Sequence, residues 1–233
     1  MTPPPVPPLP AQLLVMAKSP VPGLAKTRLS PPYTPTEAAE LADAALRDTL
    51  DAVMDTPVQR RVVALEGEAG DWLPTGVDVI LQRGDGLDER IGYALEDAWS
   101  TLPLPVLLVG MDTPQVTAPE LEQAARWLLT PGTDAVLGPA EDGGFWALGL
   151  QLPSPEMVRG VAMSTSRTGA VQLERLRAAG LRVRLLPTVR DVDTALDVSV
   201  VASAAPRSRF AAVVSRLGAA GRPDVGTAAE GAA

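Results

Sequence analysis

From residue 13 to residue 217, short apolar runs alternate with longer stretches whose apolar residues recur at helical spacing. Runs such as LLVMA over 13–17 and VLLV over 106–109 show no polar alternation. A strand of that kind must be buried on both faces, which happens in a mainly parallel sheet with helices on either side. The pattern therefore predicts an α/β fold. Its strands fall over 13–17, 61–65, 77–81, 106–109, 135–138, 145–150 and 183–186, and its helices over 36–54, 88–102, 119–129, 168–179 and 208–217, with Thr36 as the first N-cap. In such sheets ligands bind beyond the C-terminal ends of the strands, so the loops there carry the functional reading.

The chain has 233 residues, which suits one domain with a substantial core. The Pro-rich stretch over 1–10 and the apolar-poor stretch over 218–233 read as disordered tails around a single domain over 11–217. No run is long enough to span a membrane, and the start lacks a basic-then-apolar leader, so a cytoplasmic protein is expected. A net charge of -8 argues against nucleic acid as a partner. The chain contains neither cysteine nor histidine. Thiolate and imidazole chemistry are thereby excluded, and metal binding falls to carboxylates, which prefer hard ions such as Mg²⁺ or Mn²⁺.

Four segments carry the chemistry. After the first strand comes MAKSPVPGLAKTRL over 16–29, a cationic island formed by Lys18, Lys26 and Arg28 that holds both lysines of the chain. Gly23 in this loop would let backbone amides approach phosphate oxygens, beginning at Ala17. The strand over 106–109 runs into Asp112, placed to hold a divalent cation against a diphosphate or triphosphate, although an aspartate there can equally cap a turn. In GPAEDGGFW over 138–146, Glu141 or Asp142 precedes Gly143 and Gly144 in a tight turn, which reads either as a substrate-facing turn or as an ordinary hairpin. In RDVDT over 190–194, acids crowd as they would around a shared cation, with capping of the next helix by Asp193 or Thr194 as the competing reading. Two further segments support these: Gln82 to Arg90, placed to contact a base or ribose, and MSTSRT over 163–168, where Ser164, Thr165 and Arg167 gather at a helix start.

Taken in order, these pieces resemble the bacterial DUF2064 group of transferases, related in fold to molybdenum-cofactor guanylyltransferases. The resemblance rests on AKSPVPG with KTRL, Gln82 with LDER, GMDTP, GPAEDGG, Ser164-Thr165 and DVDT, and covers about 13–198. This chain departs from the group's pattern at Leu24, Asp88 and Phe145. The resemblance implies a single-domain GT-A fold of the nucleotide-diphospho-sugar transferase type, a Rossmann-like three-layer sandwich with a mostly parallel mixed sheet. It also implies a nucleotide over the first loop and Asp112 as the metal-binding aspartate.

The expected activity is metal-dependent glycosyl transfer from a nucleoside diphosphate-sugar to a small acceptor. Ala17, Lys18, Gly23, Lys26, Arg28, Gln82 and Arg90 would bind the nucleotide and its phosphates. Asp112 and Asp193 would hold Mg²⁺ or Mn²⁺. Asp142 or Glu141 would orient or deprotonate the acceptor, with Gly143, Gly144, Ser164 and Thr165 on the acceptor side. Two alternatives stay open: nucleotidyl transfer from a nucleoside triphosphate to a phosphorylated or carboxylate acceptor, and nucleotide binding without catalysis. The partners are thus a nucleotide-activated donor and a small acceptor, and the sequence admits a homodimer without specifying one.

Overall fold

The computed structural model describes residues 7–219. Seven strands, β1 (Leu9–Lys18), β2 (Val58–Glu66), β3 (Asp78–Leu81), β4 (Val106–Gly110), β5 (Ala135–Pro139), β6 (Phe145–Leu150) and β7 (Val183–Leu185), form one sheet in the order β3-β2-β1-β4-β6-β5-β7. Every pairing is parallel except the two made by β6. The fold is thus α/β with a mostly parallel mixed sheet, as the alternation of apolar runs predicts.

The doubly buried strands explain the layers. Along β1, Leu13, Val15 and Ala17 enter the core beneath helices α1 (Pro35–Asp55) and α3 (Ala118–Leu128). Leu14 and Met16 enter the opposite core beneath α2 (Leu87–Thr101) and α4 (Thr168–Ala178). The outer side of α1 is covered in turn, because Leu41, Ala44 and Ala45 pack with Phe210 and Leu217 of α6 (Arg209–Ala219) and with Val198 of α5 (Ala195–Ala204).

Some boundaries differ from expectation for identifiable reasons. The first helix is capped by Thr34 rather than Thr36: Thr34 Oγ1 accepts from the Glu37 amide at 3.3 Å, and Glu37 Oε2 accepts from the Thr34 amide at 2.8 Å. Pro35 occupies the first helical turn, where its missing N–H is harmless. Strand β1 begins at Leu9, which pairs with Val58, so Leu9 and Pro10 belong to the strand rather than to a tail, and α6 runs on to Ala219. Of the two expected tails, 1–6 and 220–233 lie outside the described residues, and Pro7 and Pro8 lead into β1 without regular structure.

Candidate functional site

Because the parallel strands all end at one edge of the sheet and β6 starts there, their loops meet. A cavity of about 570 Å³ opens along this edge, and a smaller one of about 250 Å³ adjoins it beside the first loop. Over β1, β2 and β3 the large cavity is lined by Ala17, Lys18, Glu66 and Gln82. Over β5, β6 and the start of α4 it is lined by Asp142, Gly144, Phe145 and Ser164 to Ser166. Asp112, just past β4, stands between the two halves, joined by Asp191 and Asp193.

The first loop and the DVDT segment are tied together at this midpoint. Lys26 Nζ meets Asp112 Oδ2 at 2.8 Å and donates to the carbonyl of Val192. The Val192 amide donates to the Asp112 carbonyl at 2.9 Å. Arg28 pairs with Asp193 at 2.8 Å, and Lys18 with Glu66 at 3.0 Å. Each cation of the expected phosphate grip is therefore held by a carboxylate. Lys26 is mostly buried, so it reaches the smaller cavity and not the large one.

The acids are not equivalent. Asp112 Oδ1 is buried and has no hydrogen-bond partner. A buried carboxylate oxygen left unpaired is costly unless something else satisfies it. Asp191 is half-buried, and burial together with Asp142 and Asp112 pushes its pKa up to about 6, against the pull of its own backbone amide and Lys26. Asp142 enters no ion pair among the described residues, and its Oδ1 accepts from the Gly144 amide at 2.7 Å, closing the turn. Among the described residues no three His, Cys, Asp or Glu side chains form a ready metal cage. A hard ion needs no such cage, since Mg²⁺ uses one or two carboxylates and completes its shell with water and substrate phosphate. The unpaired Asp112 oxygen beside Asp191 fits that demand. Asp193, singled out from the sequence, is instead engaged by Arg28, whereas Asp191 two residues earlier lines the same cavity as Asp112 and Asp142 and enters no ion pair among the described residues.

Other sequence-derived residues divide in the same way. Gln82 lines the cavity, donating both amide hydrogens of Nε2, one to the carbonyl of Ala17 and one to that of Ala64, each at 2.9 Å. Arg90 does not line it. Arg90 braces Glu66 at 2.6 Å, on the carboxylate that also holds Lys18. Gly23 adopts φ 79° in an open turn and borders neither cavity. Glu141 is drawn aside by Arg190 at 2.5 Å, leaving Asp142 as the acid of that turn in the cavity. Gly143 adopts φ 90°, and a Cβ there would overlap the Ser166 carbonyl, so this glycine allows the turn to press against the start of α4. Ser164 and Thr165 line the cavity, and the Thr165 hydroxyl accepts from the Arg167 amide at 3.3 Å.

Comparison with known proteins agrees with the fold. The family described as an uncharacterized protein conserved in bacteria (DUF2064) matches residues 49–165. A candidate nucleotide-diphospho-sugar transferase from Desulfovibrio desulfuricans G20 superimposes with a TM-score of 0.80 at 27% identity, covering 90% of this chain and 95% of that one. A nucleotidyl transferase from Methanothermobacter thermautotroptrophicus gives a TM-score of 0.54 at 16% identity, with 84% and 98% covered. The 2-C-methyl-D-erythritol 4-phosphate cytidylyltransferase of Thermus thermophilus gives 0.51 at 17%, with 84% and 98% covered. At such identities these last two are alike in fold alone. No curated protein matches the sequence.

Proposed function

The chain belongs to the DUF2064 family, and from that premise we propose that it is a metal-dependent transferase moving a glycosyl group from a nucleoside diphosphate-sugar to a small acceptor. The observation that carries this reading is the Lys26–Asp112 ion pair at the centre of the cleft, with the second Asp112 oxygen buried and unpartnered. The Desulfovibrio protein, alike over nearly its whole length, supports the donor class.

In this reading the donor diphosphate lies across the middle of the cleft, where Lys18 and Arg28 exchange their carboxylate partners for phosphate oxygens. Gln82 and the backbone at Ala17 border the place of the nucleoside. Asp112 and Asp191 would hold Mg²⁺ or Mn²⁺, which when bound neutralises charge on the donor phosphates. Asp142, free of any ion pair among the described residues, accepts the proton of the acceptor hydroxyl. The acceptor oxygen then bonds to the anomeric carbon, and the bond from that carbon to phosphate breaks with its electron pair leaving on the nucleoside diphosphate. Lys26 stays in place as the support of Asp112.

The test is a melting-temperature panel with nucleoside diphosphate-sugars and with triphosphates, each with Mg²⁺, followed by turnover of Asp112→Ala. Stabilisation by diphosphate-sugars and a loss of about 100-fold or more in turnover are expected. Full metal-dependent turnover by Asp112→Ala would overturn the assignment, and stabilisation by triphosphates alone would move it to nucleotidyl transfer.

A further inference from the structure

The strand ends that border the cleft carry their polar side chains in a row. Lys18 closes β1 in register with Glu66 at the end of β2, and just beyond β3 the backbone amide of Gln82 donates to the Leu65 carbonyl at 2.9 Å. With Asp112 just past β4, the sheet order β3-β2-β1-β4 sets Gln82, Glu66, Lys18 and Asp112 side by side along the cavity. Adjacent strands are about 4.8 Å apart, a spacing on the scale of one sugar ring.

The two oxygens of Glu66 are held differently. Arg90 Nη1 fixes Oε2 at 2.6 Å, and Arg90 is itself tied through Nε to the Gly84 carbonyl at 3.2 Å. Lys18 Nζ holds Oε1 at 3.0 Å. When Lys18 turns to a donor phosphate, Oε1 loses that partner while Arg90 keeps the carboxylate in place. A carboxylate oxygen released in this way calls for a new hydrogen-bond donor. The side chain next in the row cannot supply one, because Gln82 spends both amide hydrogens on the carbonyls of Ala17 and Ala64. The rest of this wall is apolar, with Ala17, Leu87 and Ile91. Water or the ligand must therefore supply it, and in a nucleotide the group next to the phosphates is the ribose, with its two hydroxyls.

From this we infer that Glu66 reads the ribose of the donor: Oε1 accepts a hydrogen bond from a ribose hydroxyl, so that a ribonucleotide binds in preference to its deoxy counterpart. The assignment rests on the transferase reading and adds to it the residue that recognises the sugar of the nucleoside. The order of side chains along the strand ends then matches the order of groups in the ligand, with metal and phosphates at Asp112 and Lys18, ribose at Glu66, and base at Gln82 and Leu87. A hydroxyl bound to a charged acceptor is well discriminated from a missing one, because the analogue leaves the acceptor unpaired.

Calorimetric titration of the full chain, in Mg²⁺, with ADP, GDP, CDP and UDP and with the 2′,3′-dideoxy form of each tests this. For the base that binds best, loss of the hydroxyls should weaken binding about ten-fold or more. In Glu66→Ala that ratio should fall to about two-fold or less, whereas Lys18→Met should weaken both forms alike and leave the ratio standing. The ratio separates two roles, since a Glu66 that serves only to hold Lys18 would affect both forms equally when removed. Equal binding of the two forms by the parent chain, or a ratio that survives Glu66→Ala, overturns the inference and leaves the donor reading intact. Failure of all these nucleotides to bind overturns the donor reading and this inference with it.

Discussion

Lys26 illustrates what one side chain does in this cleft. It joins the first loop to Asp112 and to the Val192 carbonyl, so its removal strips two acceptors at once. Lys26→Met should lower stability by about 1–3 kcal/mol, a figure reduced because Asp112 retains some contact with solvent. Urea unfolding would measure it, and an unchanged midpoint would show the tie to be idle. Gly143→Ala tests the turn on the acceptor side, since a Cβ there meets the Ser166 carbonyl and the backbone sits at φ 90°. Strain of about 1–3 kcal/mol is expected, with turnover falling while nucleotide affinity holds. The sequence already pointed to Lys26, Asp112 and Asp142. It picked Asp193 rather than Asp191 for the metal, because alternate residues of an extended segment share a side and only the position of Arg28, distant in sequence, decides which acid is occupied. Likewise the Arg190–Glu141 pair spans two segments whose meeting depends on β5 and the chain after β7 lying side by side.

At the scale of elements, strands buried on both faces were the easiest to read and segment ends the hardest. Pro10 made the chain before residue 11 look like a tail, yet it sits in β1 where the register with β2 shifts between Leu9 and Gln12, a place where a missing N–H is tolerated. Helix α5 gave little helical signal, because apolar residues surround it: Val198 and Val201 are buried while Leu196 and Val200 lie exposed. What marks α5 is its start. Thr194 and Asp197 form a capping box, with Asp197 Oδ2 accepting from the Thr194 amide and hydroxyl at 2.7 Å each. Burial works against the Asp197 carboxylate, but the Thr194 hydroxyl, the Thr194 and Asp193 amides and Arg190 outweigh it, so its pKa lies below the ordinary value. A lowered carboxylate pKa stabilises the fold above the unfolded-state value of about 4, and that contribution is lost as pH falls through the lower folded value. Asp197→Asn should therefore cost stability near neutrality and flatten the acid limb of a melting-temperature profile between about pH 5 and 3. A profile parallel to that of the parent chain would count against this role.

For the molecule as a whole the decisive quantity is the charge of the cleft. Lys18, Lys26 and Arg28 face Glu66, Asp112, Asp142, Asp191 and Asp193, so carboxylates outnumber cations before any ligand arrives. A nucleoside diphosphate entering alone must pull Lys18 and Arg28 from their partners and leave those acids exposed to its own charge. A divalent cation entering alone meets the Asp112 oxygen but has Lys26 as a close competitor. Entering together, each ligand neutralises what repels the other, which makes their binding free energies cooperative. At ligand concentrations about 100 times the dissociation constant, the pair should stabilise the fold by about 2.7 kcal/mol. For a chain of this size that corresponds to a rise of about 5–10 °C in melting temperature. Mn²⁺ or nucleotide alone should give clearly less than half of the joint rise, and Asp112→Ala should make the separate effects merely add. Equal stabilisation by nucleotide with and without chelator would mean that the cleft neutralises a diphosphate with its own lysines and arginines, contrary to the excess of carboxylates lining it.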